Sequence, residues 1–338
     1  MSCRRCFIAS EDGLLYSSWE NGRLTVSGVE LAPPLNYLAA DWNGKRLYAT
    51  ARYEICAFDL SEDRPRLLYK ISCMGDVACH LCLSPDRQSL FCANYISGNI
   101  AVFRILDRSF EFIQSITGHG HCGNDRKRQD GPHAHCCAFI DGNLWAADLG
   151  QDAIFIFPWD GEKLGSEIGR IAFPFGSGPR HFVHDASHNR ICCVSELSNE
   201  LFIIDSGNLI IQYKKVIARP KDALSAIRLS PGRTTLGIGI RGSDQVILLD
   251  SVDLHTQFVV NSGEKCVRDF DFPDNETICI CGQDSSSVSF FRTSGKSAEN
   301  RIQQIEVPKP MCVLFEPAVD HLMYDHRKIA LQARDLAI

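Results

Sequence analysis

A repeat constrains this chain more than any other feature. Leu14, Ile55, Ile100, Ile154, Leu201, Val246 and Val288 each open an apolar run that follows a polar turn, at spacings of 41, 45, 54, 47, 45 and 42 residues. In a full unit, two apolar runs joined by an Asp/Gly/Asn-type turn precede this anchor and a fourth run follows it. An all-β unit of about 40–45 residues is the length of a four-stranded propeller blade. Seven such units predict an all-β, seven-bladed β-propeller of four-stranded blades. The long spacing marks a loop inserted between the third and fourth units.

In the fifth unit, strands are expected at Arg180–Asp185, Arg190–Glu196, Glu200–Asp205 and Leu209–Val216, from the channel outward. These runs are rich in Val, Ile, Leu, Phe and Cys, and Gly, Asp, Asn, Ser and Pro bound them, as strands require. The first unit lacks an innermost strand, because the chain opens directly with Cys6–Ser10. Met311–Phe315, near the other end, looks like an innermost strand without partners. Pairing the two would complete the first blade and close the ring of N- and C-terminal strands, leaving no open sheet edge. Residues 1–338 are therefore read as a single propeller domain. Helical periodicity is missing until Arg327–Leu336, which suits one short helix, and residues 318–338 have no evident role.

Composition narrows the class. An apolar share of 45% against 22% charged suits a soluble globular protein with a substantial core. No apolar run approaches a membrane span, and the first ten residues lack the apolar stretch of a secretory signal. The net charge of −6, with no long basic run, argues against a general nucleic-acid binder. Among the cysteines, Cys56, Cys92, Cys192, Cys193, Cys279 and Cys281 lie inside apolar runs, where a thiol behaves as a small hydrophobe. They are expected to be reduced thiols of a cytoplasmic protein. Cys3–Cys6 and Cys79–Cys82 have Cys-x-x-Cys spacing. If 79–82 is a strand, residues three apart face opposite sides, which does not suit two ligands of one zinc ion.

Strand direction locates a candidate site. Antiparallel strands alternate, so the start of strand one and the end of strand two share a rim. His80, His135, Arg180, His181 and Arg268 lie near first-strand starts, and Glu196, Arg241 and Gln283 each lie five residues before an anchor. All should face one mouth of the central channel. The inserted loop Gly118–Gly131, carrying Arg126, Lys127 and Arg128, opens on the same face. Two segments of the same shape, Gly-Pro-His-Ala-His (131–135) and Gly-Pro-Arg-His (178–181), head consecutive units. Of the two histidines in the first, His133 weighs more as a packing residue than His135.

These residues, in this order, resemble the bacterial 6-phosphogluconolactonase family of seven-bladed propellers, which also includes the fungal 3-carboxy-cis,cis-muconate cyclase. The matching pieces include Ala-Asn-Tyr-Ile-Ser-Gly-Asn-Ile (93–100), Arg-Gln-Asp-Gly-Pro-His-Ala-His (128–135) and Ala-Asp-Leu-Gly-Gln-Asp (147–152). To these are added Gly-Pro-Arg-His (178–181), Ser-Glu-Leu-Ser-Asn (195–199), Ile-Arg-Gly-Ser-Asp (240–244) and Gly-Gln-Asp-Ser-Ser-Ser-Val (282–288). The resemblance spans roughly residues 6 to 316. It departs at Tyr48-Ala49-Thr50-Ala51, which lacks an acidic residue often found in the family, and at Ile240, where an Asn commonly precedes the Arg. It implies that His135, Arg180, Glu196 and Arg241 occupy the cyclase's active positions. Arg268, His181, His80, Arg128, Gln283 and His133 are the expected substrate-binding lining.

Lactone hydrolysis needs a base for water, donors for the oxyanion and a proton for the leaving oxygen. Glu196 and His135 are the candidate bases, and the forked, permanently charged Arg180 and Arg241 suit an oxyanion, a phosphate or a carboxylate. Arginines beside one carboxylate make a poor cage for a hard cation, so neither a catalytic metal nor another cofactor is expected. The leading expectation is hydrolysis of a small anionic sugar lactone, most simply 6-phospho-D-glucono-1,5-lactone of the pentose phosphate pathway. The alternatives are a carboxymuconate-type cyclase or lactonase and a non-catalytic binding propeller.

Overall fold

Near-continuous apolar runs make strands that bury both faces, one against each neighbouring sheet, as in Ser89–Asn94 and Thr277–Gly282, buried at every residue. The structure, a computed structural model, describes residues 3–293 and 301–318. The helix expected at Arg327–Leu336 lies outside the described residues. The described strands form seven four-stranded antiparallel sheets. Six follow chain order from the channel outward, and each of the seven anchors falls at or near the start of a third strand.

In the fifth blade the strands are Pro179–Asp185, Arg190–Ser195, Glu200–Asp205 and Ile211–Val216. The second ends one residue earlier than expected because the Glu196 N–H turns to the Gly178 carbonyl at 2.8 Å. The fourth begins two residues later because Leu209 takes a left-handed backbone, φ 63°, in the preceding turn.

The remaining blade closes the ring. Cys312–Phe315 pairs antiparallel with Arg4–Ser10, in the register Cys6 to Phe315 through Ala9 to Cys312. An ion pair between Arg5 and Glu316 at 3.1 Å, with both side chains partly exposed, sits beside this ladder. Packing is organised the same way around the ring. The buried apolar side chains form seven clusters, each filled from two adjacent sheets. Cys56, Cys92, Cys192, Cys193, Cys279 and Cys281 all lie in these clusters, fully buried. All sixteen cysteines are free thiols, and burial pushes those of Cys56 and Cys192 up to about 12.

One feature of the innermost strands was not legible in the spacing. In five blades the register between strands one and two slips near the first-strand start. The residue left over is Cys79, His135, Arg180 or Arg268, and in the sixth blade the pair Ser225 and Ala226. Such a β-bulge bends the strand and re-aims a side chain. It also corrects the expectation for Cys79 and Cys82. With Cys79 on the bulge, strict alternation fails, and both thiols pack against the same cluster between blades three and four.

A second repeated device sits two residues before five of the anchors. Gly98, Asp152, Asn199, Asp244 and Ser286 all have positive φ, between 47° and 67°. In three blades the side chain reaches forward to the next blade's first strand or to the residue just before it. Asp152 accepts from Gly178 N–H at 2.7 Å, Asn199 from Leu224 N–H at 3.2 Å and Asp244 from Cys266 N–H at 2.8 Å.

The closure is testable without truncation. Phe315 is 5% exposed and meets the edge of Trp19 at 5.9 Å, so Phe315→Ala is expected to cost about 3–5 kcal/mol in urea unfolding. Val29→Ala, on an outermost strand, should stay within about 0.5 kcal/mol. Equal effects would mean that the closing strand contributes no more than a surface strand.

Candidate active site

The bulges and the second-strand ends converge on one mouth of the channel. Glu196 lies at the centre, with its carboxylate 2% exposed. Arg241 reaches its Oε2 at 2.7 Å from blade six, Arg180 lies 2.9 Å from the same oxygen, and Arg128 of the inserted loop reaches Oε1 at 2.5 Å. Arg180 is itself only 3% exposed. Its Nε is near enough for an ion pair but forms no hydrogen bond there. Its Nη1 meets both the Ser225 carbonyl and, at 3.2 Å, His181 Nε2. Neighbours on a regular strand face opposite ways, so this contact between residues 180 and 181 is a product of the bulge.

Gly178 makes the approach possible. Its φ of 64° is left-handed, and a Cβ there would come within 2.6 Å of Leu197. Its carbonyl accepts from Glu196 N–H, so the turn that delivers Arg180 also fixes the backbone of Glu196.

Charge sets the protonation states. Burial opposes ionisation of Glu196, yet Arg241, Arg180 and Arg128 together hold its carboxyl well below the usual carboxylate range. Burial and the like charges of Arg268 and Arg241 push Arg180 down to about 9, which leaves it charged at neutral pH. Arg268 joins the cluster through its field, and is itself lowered by burial and by Arg241. Four guanidiniums thus surround one carboxylate. His135 stands beside them, 5% exposed, with Nδ1 lacking any hydrogen-bond partner. Burial, then Arg180, keeps its imidazole neutral by pushing its pKa well below the ordinary value.

The other expected lining residues divide. His181 meets His135 edge to face at 5.3 Å and belongs to the site's floor. His80 lies deeper, stacked on Tyr37 at 4.1 Å, where it lines a channel cavity of about 210 Å³ with Tyr37, His181, Arg228 and Asp271. His133 has both ring nitrogens engaged, with the Tyr95 carbonyl at 2.7 Å and Asp130 at 2.9 Å. Gln283 stays beside Cys266, its N–H bonded to the Cys266 carbonyl at 3.1 Å. Of the basic loop residues, Arg128 turns inward while Arg126 and Lys127 remain exposed.

Tyr95 is the residue that sequence reasoning passed over. Its hydroxyl accepts from Arg128 Nε at 3.1 Å, its ring stacks on His133 at 4.5 Å, and its edge faces His135 at 5.4 Å. It too lies five residues before an anchor, the spacing that singled out Glu196, Arg241 and Gln283. Outside the mouth, Asp250, Asp253 and His255 form the one group of three potential metal ligands among the described residues. It sits in a turn on the opposite rim. No helix among the described residues is long and apolar enough to cross a membrane.

Fold and mouth together define a seven-bladed propeller with a buried, arginine-rich site at one end of its channel. The family described as "Lactonase, 7-bladed beta-propeller" matches residues 17–315, and the chain belongs to that family. The 6-phosphogluconolactonase of Bacillus subtilis (strain 168) is 24% identical over 331 residues, covering 90% of this chain and 94% of the relative. Among solved structures, the periplasmic gluconolactonase of Pseudomonas aeruginosa superposes with a TM-score of 0.84. It is 20% identical and covers 94% of this chain and 100% of its own. A Lactobacillus plantarum protein gives the same TM-score at 21% identity, covering 93% of this chain and 100% of its own.

Asp148 offers a pH test of the local architecture. Its Oδ1 accepts from the N–H groups of His133 at 2.8 Å and Gln151 at 2.9 Å. Burial nevertheless dominates, raising its pKa from 3.8 to about 6. The folded state therefore holds this proton more tightly than the unfolded chain, so the group's contribution to stability falls as pH rises from about 4 to about 6. Asp148→Asn keeps the acceptor and removes the titration. The stability difference, wild type minus variant, should fall by up to about 3 kcal/mol between pH 4 and pH 7. A difference that is flat with pH would show that Asp148 ionises normally.

Proposed function

We propose that this protein hydrolyses a sugar lactone, with 6-phospho-D-glucono-1,5-lactone as the substrate of first choice. One observation carries the reading. A buried carboxylate gathers three arginines within 2.5–2.9 Å, beside a neutral imidazole whose Nδ1 has no hydrogen-bond partner. The likeness to the Bacillus subtilis 6-phosphogluconolactonase and membership of the lactonase family support the same chemistry. Sixteen unpaired thiols suit a reducing compartment, consistent with a cytoplasmic location.

The two candidate bases now differ. Glu196 is ionised but tied to three cations, which makes it a weak proton acceptor and a strong organiser of guanidiniums. His135 is neutral, and its buried Nδ1 has no hydrogen-bond partner. In the proposed reaction the neutral imidazole takes a proton from water as the water oxygen bonds to the lactone carbonyl carbon. Arg180 and Arg241 stabilise the oxyanion, as charged donors held in place before charge develops. The carbonyl re-forms, the ring C–O bond breaks, and the imidazolium returns its proton to the leaving oxygen. Arg128 and Arg268 provide charge for a phosphate. The donor set, one carboxylate bound to arginines, does not fit a hard cation, and no step requires one.

Hydrolysis of fresh 6-phosphogluconolactone, measured against its spontaneous rate with gluconolactone and muconolactones in parallel, tests the reading. His135→Asn should lower kcat by roughly 10²–10⁴-fold. Because a base works deprotonated and His135 is depressed, kcat/KM should stay level from pH 8 to 6 and fall only at lower pH. Arg128→Ala should weaken the phosphorylated lactone more than the neutral one. Near-wild-type turnover in both His135→Asn and Glu196→Gln would sink the catalytic assignment and favour a binding propeller. Faster turnover of a muconolactone would move the substrate to the dicarboxylates.

A further inference from the structure

The lactonase reading leaves unexplained how an inserted loop keeps Arg128 in place and how that loop relates to Arg180, one blade away. The two meet at Asp152. This residue is 5% exposed and has a left-handed backbone, φ 47°. Its Oδ1 accepts from Gln129 Nε2 at 2.8 Å and from Gly178 N–H at 2.7 Å, and its Oδ2 accepts from Gly176 N–H at 2.7 Å. Gln129 is the neighbour of Arg128, and Gly178 stands two residues before Arg180. A single carboxylate therefore holds the loop with one hydrogen bond and the Gly176–Gly178 turn with two.

The loop arm is well built. Gln129 is 2% exposed and gives a second hydrogen bond to the Leu149 carbonyl at 2.9 Å, while its Oε1 accepts from Asp125 N–H at 3.3 Å. Asp125 in turn accepts from the N–H groups of Lys127 and Arg128 at 2.9 and 3.1 Å. Residues 125–129 thus form a compact turn whose inner end rests on Asp152 and whose outer end, Arg126 and Lys127, is exposed. Asn199 and Asp244, at the corresponding positions of the next two blades, each bond a first-strand start as well. Asp152 differs from them because it also binds the inserted loop.

We propose that Asp152 is a positioning residue that couples the inserted loop to the bulge carrying Arg180, so that Arg128 and Arg180 are brought to Glu196 together. This rests on the lactonase reading only for its kinetic consequence. Three N–H donors converge on the two oxygens, and only a carboxylate offers acceptors alone. An asparagine would turn an NH₂ toward at least one of these donors. Losing a hydrogen bond to a charged group shifts a local opening equilibrium by roughly ten- to a hundredfold.

Two variants and three readouts test this. Asp152→Asn disturbs both arms, and Gln129→Met cuts only the loop arm. The first readout is the rate of trypsin cleavage after Arg126 and Lys127, which should rise by roughly ten- to a hundredfold in both variants. The second is the melting midpoint, which in Gln129→Met should fall by a few degrees at most. The third is lactone hydrolysis. Gln129→Met should lower kcat/KM about as much as Arg128→Ala, and the double variant should be no worse than Arg128→Ala alone, because both remove one contribution. Asp152→Asn should lose more than either, because Arg180 is displaced too.

Wild-type cleavage rates in both variants would overturn the proposal, as would losses for Gln129→Met and Arg128→Ala that multiply. If Asp152→Asn fails to fold, Gln129→Met decides the loop arm by cleavage and by the double variant. If the wild-type protein turns over none of the lactones, the lactonase reading fails, and faster cleavage at an unchanged melting midpoint still supports the tether.

Discussion

Pairing Cys312–Phe315 with Arg4–Ser10 joins segments from opposite ends of the described chain; Arg5 and Glu316 beside it are 311 residues apart. The apolar clusters lie between sheets, so each sheet needs a neighbour on both faces. Without the closing strand, the first blade would lose its innermost member, and the clusters on both its sides would open to water. Closing so distant a contact costs loop entropy, but that cost grows only slowly with chain length. Burial of Cys312, Val313 and Phe315 offsets it, at roughly 1.5–3 kcal/mol for a large apolar side chain.

The ring positions the site through its innermost strands. These strands crowd the channel, and a regular strand there would send alternate side chains into the clusters on either side. A bulge interrupts that alternation at the mouth, and four of the bulged positions hold Cys79, His135, Arg180 and Arg268. Of these, Arg180 reaches Glu196 directly, and His135 and Arg268 sense its charge. The candidate site is thus confined to strand ends, where register can slip without opening the apolar clusters. The left-handed turn residues Asp152, Asn199 and Asp244 hold the next strand start where each slip begins.

Much of this was legible in the sequence, for an identifiable reason. The seven anchors and the unpartnered Met311–Phe315 reflect hydrophobic periodicity, which burial between sheets imposes on every blade. The convergence of Arg180, Glu196 and Arg241 followed from strand direction alone. The bulges were not legible, because a one-residue slip leaves no mark in an apolar pattern. Cys79 and Cys82 were accordingly assigned to opposite faces when they share one. Tyr95 carries a readable signal, its distance from Ile100, the same spacing that marks Glu196, Arg241 and Gln283. Asp152 and Gln129 act through backbone N–H groups and a turn, which spacing does not reveal.

The electrostatics of the mouth follow from the same geometry. Arg128, Arg180, Arg241 and Arg268 repel one another, and desolvation of buried charge makes that repulsion stronger than in water. Glu196 compensates one of the four, which explains why removing a proton from it is so favourable and why adding one back is not. The remaining positive charge has no counterpart among the groups that Arg180 and Arg268 sense most strongly. The apolar clusters between blades hold these like charges together, so the rigidity of the ring and the positive field at its mouth have one origin.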